Sequence, residues 1–420
     1  MRVRLLVAFL AACVFTAAAS AALPTFWQVS TEAEFLRGEV ENLSIDSYGR
    51  LTLGPTSTPV YDSSAPFIWT AIAVADGTVY AGSGNEGQVY RVDASGKGTV
   101  FFDSEELEVH AIAPAPNGGI YVGTSPQGKI YRVDATGKAA VFFDPDDRYI
   151  WSLVVDGSGN VFAATGDKGV IYRITPDGKG TVFYQTKATH AMALAFDGQG
   201  RLLAGTESPG RVFRIDAAAK PFVILDSSFN EIRTIRVDKS GTIYAIAVSS
   251  RPGSASATPA PAADSGPTPV VSVTAEVTAI GIAEPAGSGP PPQQTPRSTG
   301  PVTGAIYRIS PDGVWDLVWE MREDTPYDIA FEGTGSLLVA TGNKGKIYRL
   351  AGEPAQPTLV VRANVQQVTT LLPERDGRML YATANPGKLL RLSAARAEPP
   401  RSTSTCRYRA ATETSRRSAT

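Results

Sequence analysis

The chain has 420 residues, of which 43% are hydrophobic, so it is long enough to bury a large core. Its 39 Lys and Arg residues stand against 41 Asp and Glu residues, giving a net charge of −2 with no run of basic residues. The electrostatic footprint expected for binding to nucleic acid or to an anionic membrane surface is therefore absent.

Residues 1–21 have the pattern of a signal peptide. Arg2 and Arg4 precede an apolar stretch that is too short and too rich in alanine for a membrane span, and small residues follow at 19–21. We therefore expect a secreted or periplasmic protein. Alternatively, a Leu-Ala-Ala-Cys box ending at Cys13 matches a bacterial lipoprotein signal, which would lipidate Cys13 and anchor the protein at the cell envelope.

A repeat of about 41 residues organises residues 58–393. The dipeptide Tyr-Arg, or a close relative, recurs in steps of 41, 41, 41, 94, 41 and 42 residues. The long step equals 41 plus 53 residues, which indicates one repeat with an insertion. The seven dipeptides begin at Tyr90, Tyr131, Tyr172, Phe213, Tyr307, Tyr348 and Leu390.

Each repeat has the pattern of four short strands. In the third copy these are residues 151–156, 160–166, 170–175 and 181–185, separated by Asp-Gly and other glycine-rich turns. Four antiparallel strands in about 41 residues are typical of one propeller blade. Seven copies predict an all-β, seven-bladed β-propeller of four-stranded antiparallel blades. Its blades start near residues 69, 110, 151, 192, 233, 327 and 369.

The last blade is predicted to be completed by the N-terminus. The seventh repeat lacks a fourth strand, and residues 58–63 (TPVYDS) match fourth strands elsewhere, such as residues 99–103 (TVFFD). Such closure removes the exposed edges of the first and last blades. Residues 22–57 then form an N-terminal arm, which either adds a short hairpin over the closing blade or packs loosely.

Two further segments do not follow the repeat. Residues 251–303, between the second and third strands of blade five, are rich in Pro, Ser, Ala and Gly and predict a disordered low-complexity insert. Residues 270–283 alternate as a strand does, so a hairpin within the insert is the alternative. Residues 394–420 lack apolar periodicity and predict a disordered or truncated tail.

The arginine of the Tyr-Arg dipeptide recurs in every blade, which favours a structural role. We expect its stem to pack on the neighbouring blade and its guanidinium to pair with an aspartate or a carbonyl in a turn. The candidate partners are Asp93, Asp134 and Asp216.

Function is expected where the repeats differ. The first residue of each innermost strand lies near one mouth of the central channel, and His190 lies two residues before one of them on the same strand face. This aromatic-rich set with a few polar groups suits a small ligand or a peptide, although the side chains could instead only fill the mouth or pack between blades. The candidate column is Trp69, His110, Trp151, Met192, Arg233, Tyr327 and Thr369, together with His190.

The two histidines, His110 and His190, lie in adjacent blades. They could seed a metal site or an acid–base pair, but no carboxylate cluster at matching positions completes one. A serine nucleophile elbow, a Cys–His pairing and a nucleotide-binding glycine motif are missing from the sequence as well. We therefore assign no catalytic residue, no metal and no cofactor.

Residues 160–185 (NVFAATGDKGVIYRITPDGKGTVFYQ) and 336–350 (SLLVATGNKGKIYRL) carry a family resemblance. They resemble the repeats of bacterial secreted propellers of the NHL, YVTN and streptogramin lyase-like types, over about residues 58–392. The resemblance implies the propeller fold. Streptogramin lyase-like enzymes use a histidine, acidic residues and a divalent metal on one propeller face, and that set is not found around His110 and His190.

The sequence thus predicts an exported, non-enzymatic binding scaffold that presents a propeller face or the channel mouth to a protein, peptide or glycan. The alternative is a lyase or hydrolase with a small-substrate site at the mouth, around His110 and His190, with or without the help of a metal ion. We expect a monomer that binds no nucleic acid and has no membrane span.

Overall fold

The computed structural model describes residues 29–249, 301–333 and 335–393, and the backbone of a short strand at 407–409. The predicted signal peptide with Cys13, nearly all of the predicted insert and most of the predicted tail lie outside the described residues. Among the residues that are described, no helix has the length and apolar character needed to cross a membrane.

The N-terminal arm contains one short helix and four strands. Thr31 caps the helix, because its hydroxyl accepts the Glu34 amide while the Glu34 side chain bonds back to the Thr31 amide. These elements are α1 (Glu32–Phe35), β1 (Glu39–Glu41), β2 (Leu43–Asp46), β3 (Leu51–Leu53) and β4 (Ser57–Asp62).

Seven antiparallel blades follow one another along the chain, and each begins with its innermost strand. Single residue pairs join blade four to blade five and blade seven to blade one. Blades one to three are β5–β8 (Phe67–Ala73, Val79–Gly84, Gln88–Val92, Gly98–Asp103), β9–β12 (Glu108–Pro114, Ile120–Ser125, Ile130–Val133, Ala139–Phe143) and β13–β16 (Ile150–Val155, Val161–Thr165, Val170–Ile174, Gly180–Gln185). Blades four to six are β17–β20 (His190–Phe196, Leu202–Glu207, Arg211–Ile215, Pro221–Asp226), β21–β24 (Glu231–Val237, Ile243–Val248, Gly304–Ile309, Trp315–Met321) and β25–β28 (Pro326–Phe331, Leu337–Thr341, Lys346–Ala351, Gln356–Arg362). Blade seven is β29–β31 (Gln367–Pro373, Met379–Ala384, Lys388–Leu392) with β4.

The ring closes as predicted. Strand β4 pairs antiparallel with β31, so that Pro59 lies opposite Leu390 on the outer edge of blade seven. Blade seven is also joined to blade one, because the Thr369 hydroxyl donates to the Ile68 carbonyl at 2.6 Å and the Asn385 amide donates to the Pro66 carbonyl at 2.8 Å. The N-terminal strand therefore removes the free edges that an open ring would expose.

The β2–β3 hairpin extends blade six rather than the closing blade over which the sequence suggested it. Ile45 of β2 lies opposite Leu359 of β28 and is fully buried. The Ser44 hydroxyl donates to the Val360 carbonyl at 3.2 Å. Strand β1 pairs with β32 (Arg407–Arg409), so three residues of the predicted tail form a strand. The arm thus covers the outer edge of blade six.

The core lies between neighbouring blades. The second strand of blade one is buried along its whole length, and its Tyr80 packs with Val109 and Ile120 of blade two. Tyr121 packs in the same way with Ile150 of blade three. The aromatic residues of the second strands therefore contribute to the core between neighbouring blades.

Among the described residues, four arginines of the repeat form ion pairs. Arg214 pairs with a turn aspartate as expected, but with Asp197 at 3.6 Å and not with one of the three candidates. Arg349 pairs with Glu332 at 2.6 Å and Arg391 with Glu374 at 2.8 Å, each within its own blade and at the turn after the innermost strand. The prediction of these three partners was wrong: their carboxylates accept amides of their own turns, two and four residues further along the chain, and in the described part of the chain no ion pair joins them to a repeat arginine. These turn residues are Asp93, Asp134 and Asp216.

Candidate functional site

The seven side chains predicted at the channel mouth occupy one structural position. Ile68 lies opposite Ser83 and Thr70 opposite Gly82, which leaves Trp69 as an extra, unpaired residue. Such a β-bulge re-aims its side chain, and the same register shift occurs in every blade. The bulged residues are Trp69, His110, Trp151, Met192, Arg233, Tyr327 and Thr369.

The innermost strands begin one to two residues before these positions, not at them. The side chain two residues before each bulge lies at the same end of the blade and contributes to the mouth. Apart from His190, this second set is not among the residues predicted from sequence, although alternation along a strand is a signal that points to it. Its members are Phe67, Glu108, Tyr149, His190, Glu231, Thr325 and Gln367.

Six of these side chains form a continuous band of ring contacts across blades one to four. Their centroids lie 6.0 Å apart for Trp69 and His110, 4.9 Å for His110 and Trp151, and 5.8 Å for Trp151 and His190. Phe67 stacks on Trp69 at 5.0 Å and Tyr149 on Trp151 at 5.3 Å. All six are partly exposed. We call Phe67, Trp69, His110, Tyr149, Trp151 and His190 the ring arc.

Glycines beneath the ring arc let its side chains lie against the blades. A Cβ on Gly84 would lie 2.2 Å from Trp69 Nε1, and one on Gly166 would lie 2.8 Å from the Tyr149 ring and 2.9 Å from His190 Nδ1. A larger residue at either glycine would collide with these rings. The bare backbone at the two glycines therefore determines how closely the rings lie against the blades.

His110 has a carboxylate partner. Glu108 Oε2 lies 2.7 Å from His110 Nε2, and this hydrogen bond is the main reason that the pKa of Glu108 is lowered. A carboxylate only accepts, so Nε2 carries the proton and Nδ1 remains as the basic nitrogen. Glu108 lies two residues before His110 on the same strand, a spacing that could have identified it from the sequence.

His190 is held by two hydrogen bonds from residues of blade three. Its Nδ1 accepts the Trp151 indole N–H and the Asp167 backbone N–H, both at 3.3 Å. The ring therefore ties blade three to blade four. Within residues 29–249, 301–333 and 335–393, no group of three or more His, Cys, Asp or Glu side chains could hold a metal ion.

Blades five to seven supply a different part of the mouth. Arg233 makes two hydrogen bonds to Glu231, at 2.8 and 3.1 Å, and its guanidinium lies 4.8 Å from the centroid of the Tyr327 ring. Burial disfavours the charge of Arg233, but the Glu231 carboxylate holds its pKa above the ordinary value. Thr369 is buried and bonded to blade one, so it is part of the ring closure.

Comparisons with known proteins agree with this architecture. Residues 49–204, from the arm into blade four, match the model of the SMP-30/gluconolactonase/LRE-like region. No curated protein matches the chain. A solved streptogramin B lyase is similar with 11% identity over 81% of this chain and 98% of its own, at a TM-score of 0.60.

Two further solved structures are also similar. One is a catalytically inactive histidine-to-alanine variant of virginiamycin B lyase from Staphylococcus aureus with quinupristin, with 11% identity over 81% of this chain and 99% of its own, at a TM-score of 0.58. The other is the WD40 propeller domain of Doa1, with 11% identity over 82% and 97%, at a TM-score of 0.54. At such identity the likeness shows the fold, and the chain is a β-propeller repeat protein.

Proposed function

We propose that this protein is an exported binding scaffold that takes a peptide segment of a partner protein on the ring arc at its channel mouth. One observation carries the proposal: the same bulge occurs in all seven blades, and in blades one to six it displays partly exposed side chains that vary between blades. A position kept by the backbone and varied in its side chain is typical of a recognition surface.

The side chains at this surface are of the types enriched in the cores of protein interfaces. Trp, Tyr, Phe, Met and Arg are over-represented there, and Trp, Tyr and Arg dominate binding hot spots. The ring arc supplies the aromatic residues. Met192 lies two residues after His190 in blade four, and Arg233 follows in blade five. Because the rings pack on one another, little side-chain entropy is left to be lost on binding.

Peptide binding should depend on two tryptophans of the ring arc. We expect peptides selected from a random display library on the full chain to lose at least tenfold in affinity when Trp69 or Trp151 is replaced with alanine, as for a hot-spot aromatic. Trp315→Ala is the matched control, since Trp315 is 48% exposed on β24, away from the mouth. Unchanged affinity in both Trp69→Ala and Trp151→Ala, with thermal melts showing folded protein, would count against the proposal.

The His110–Glu108 pair favours a second candidate, a lyase or hydrolase that works without a metal. Glu108 fixes the tautomer of His110, and the ring lies between Trp69 and Trp151, where a bound substrate would be shielded from water. His110 Nδ1 would act as the general base, a role that typically contributes about 10²–10⁴-fold in rate. The similarity of residues 49–204 to a gluconolactonase-like region supports lactones and esters as the first substrates to test.

This candidate predicts activity that survives chelation. On chromogenic esters and lactones with EDTA present, we expect His110→Ala to abolish turnover. Glu108→Gln should lower turnover by about 10-fold or more and shift its pH profile. Glu105→Gln, an exposed carboxylate in the preceding loop, serves as the control. Equal rates in all three variants, or no turnover of any substrate by the unmodified protein, would exclude the candidate.

A further inference from the structure

A large cleft lies on the other side of the mouth from the ring arc. Its volume is about 1270 Å³, and it runs from Tyr327 and Gln367 at the mouth, across blades six and seven, to β1 of the N-terminal arm. Small-molecule sites are typically ~300–1,000 Å³, so the cleft is large enough for an extended ligand. Neither the ring arc nor the His110–Glu108 pair takes part in it.

The cleft is lined by an unusual number of carboxamides. Each offers a C=O acceptor beside an NH₂ donor, a pair that can bond two neighbouring hydroxyl groups at once. Thr325, Ser57 and Tyr327 add hydroxyls to the lining. The carboxamides are Asn42, Asn343, Asn364, Gln366, Gln367 and Asn385.

Several of these amides are held in place. Asn385 Nδ2 donates to Gln366 Oε1 at 3.0 Å, which leaves the oxygen of one side chain and the nitrogen of the other to bond a ligand. The Gln366 carbonyl accepts the amides of Lys344 and Gly345, at 2.9 and 3.0 Å. Gln367 Oε1 is buried and has no hydrogen-bond partner in the described part of the chain. Leaving a buried acceptor unpaired costs free energy.

The charges that line the cleft cancel. The lining contains two carboxylates, Glu39 and Glu41, and two cations, Lys344 and Arg362. Arg362 Nη1 already donates to the Gly38 carbonyl at 3.0 Å. An anionic or cationic ligand would therefore find no excess of opposite charge, which favours a neutral ligand. The Tyr327 ring supplies an apolar surface at the inner end.

We propose that this cleft binds a neutral oligosaccharide. Paired carboxamides bond its vicinal hydroxyls, and the Tyr327 ring contacts the apolar face of a sugar ring at the mouth. The proposed oligosaccharide site is separate from the peptide surface on the ring arc, so this inference does not depend on peptide binding there.

A glycan array with neutral and charged oligosaccharides, followed by calorimetry on the best neutral hexasaccharide, tests this on the full chain. We expect Gln366→Ala/Asn385→Ala to bind at least tenfold more weakly. Asn364→Ala should bind several-fold more weakly, and since Asn364 is exposed this variant is not expected to disturb the fold. Gln185→Ala, an exposed amide on β16, and Trp69→Ala should bind as the unmodified chain does.

Two results would overturn the inference: binding of no neutral oligosaccharide by the unmodified chain, or affinity that is unchanged in both cleft variants. Loss of peptide binding in Trp69→Ala with retained oligosaccharide binding would show that the two sites are separate. The cleft inference and the proposed function can therefore fail independently.

Discussion

Replacing Asp328 with alanine is expected to lower the free energy of unfolding by about 3 kcal/mol, because the variant removes a buried carboxylate whose partners lie in three blades. Asp328 is 2% exposed. Its Oδ1 lies 2.7 Å from Arg236 Nη2 of blade five, and its Oδ2 accepts the Leu371 amide of blade seven at 2.9 Å. Without the carboxylate, the Leu371 amide is buried with no acceptor.

Denaturant unfolding of the full chain measures this effect. Asp328→Asn should lose less than Asp328→Ala, since its amide oxygen still accepts from Leu371. Asp226→Ala is the matched control, because Asp226 pairs with Arg211 at 3.0 Å on the exposed outer strand of blade four. Such a surface pair contributes at most about 1 kcal/mol. A loss in Asp328→Ala no larger than that in Asp226→Ala would show that the buried carboxylate does not hold the blades together.

Docking of the N-terminal arm is expected to weaken as the pH rises through 7. Burial raises the pKa of Glu32 from 4.5 to about 7, with further contributions from Glu323, Asp324 and Asp46 against an opposing one from Lys346. The folded state then holds the proton more tightly than the unfolded chain. The stabilisation of the docked arm by this proton is complete below pH 4.5 and is lost as the pH rises to 7 and beyond. The total loss is up to about 3 kcal/mol. Glu32→Gln should abolish this dependence and dock more firmly at pH 8.5.

Hydrogen exchange, corrected for the intrinsic rate at each pH, measures this docking. The Leu36 and Gly38 amides donate to the Glu32 and Phe35 carbonyls, so their protection reports on the arm. Glu34→Gln is the control. Backbone hydrogen bonds from Ser30 and Thr31 lower the pKa of Glu34, so this side chain is ionised at both pH 5.5 and pH 8.5. Replacing its carboxylate should therefore weaken the helix equally at the two pH values. A wild-type arm equally protected at both pH values would contradict the assignment to Glu32.

The propeller could be predicted because its information is local and repeated. The 41-residue period, with glycine-rich turns between short apolar runs, specifies one blade, and counting the repeats gives the ring. Strand β4 was also predictable, since the missing fourth strand of blade seven had a match near the N-terminus. The β2–β3 hairpin was not. Its four-residue strand β2 pairs through Ile45 with Leu359, more than 300 positions away, and no local pattern marks that edge.

The sequence indicated which residues vary near the start of the innermost strands, but not their geometry or their neighbours. The column from Trp69 to Tyr327 was identified because it varies within a constant repeat. The bulge that exposes it depends on the register with the second strand, which the side-chain pattern does not specify. Glu108 was missed although its spacing from His110 was a signal. The predicted strand began at His110, whereas β9 begins two residues earlier, at Glu108.

The partners of the repeat arginines show a further limit of prediction from the sequence. An aspartate after the Tyr-Arg dipeptide looks like an ion-pair partner in sequence, yet Asp93 accepts the amides of Ser95 and Lys97 instead. Two repeat arginines instead reach an acidic residue at the turn after the innermost strand, Arg214 with Asp197 and Arg391 with Glu374. Asp197 also accepts the amides of its own turn, so the pairing follows from where the strand register places the two residues.

The central claim is that the bulged mouth of the propeller is a recognition surface, and a crystal structure of the full chain with its tightest selected peptide tests it most directly. We expect peptide side chains packed against Trp69, His110 and Trp151, with the backbone of the seven bulges unchanged. Peptide bound to the outer strands, with the ring arc left uncovered, would contradict the account.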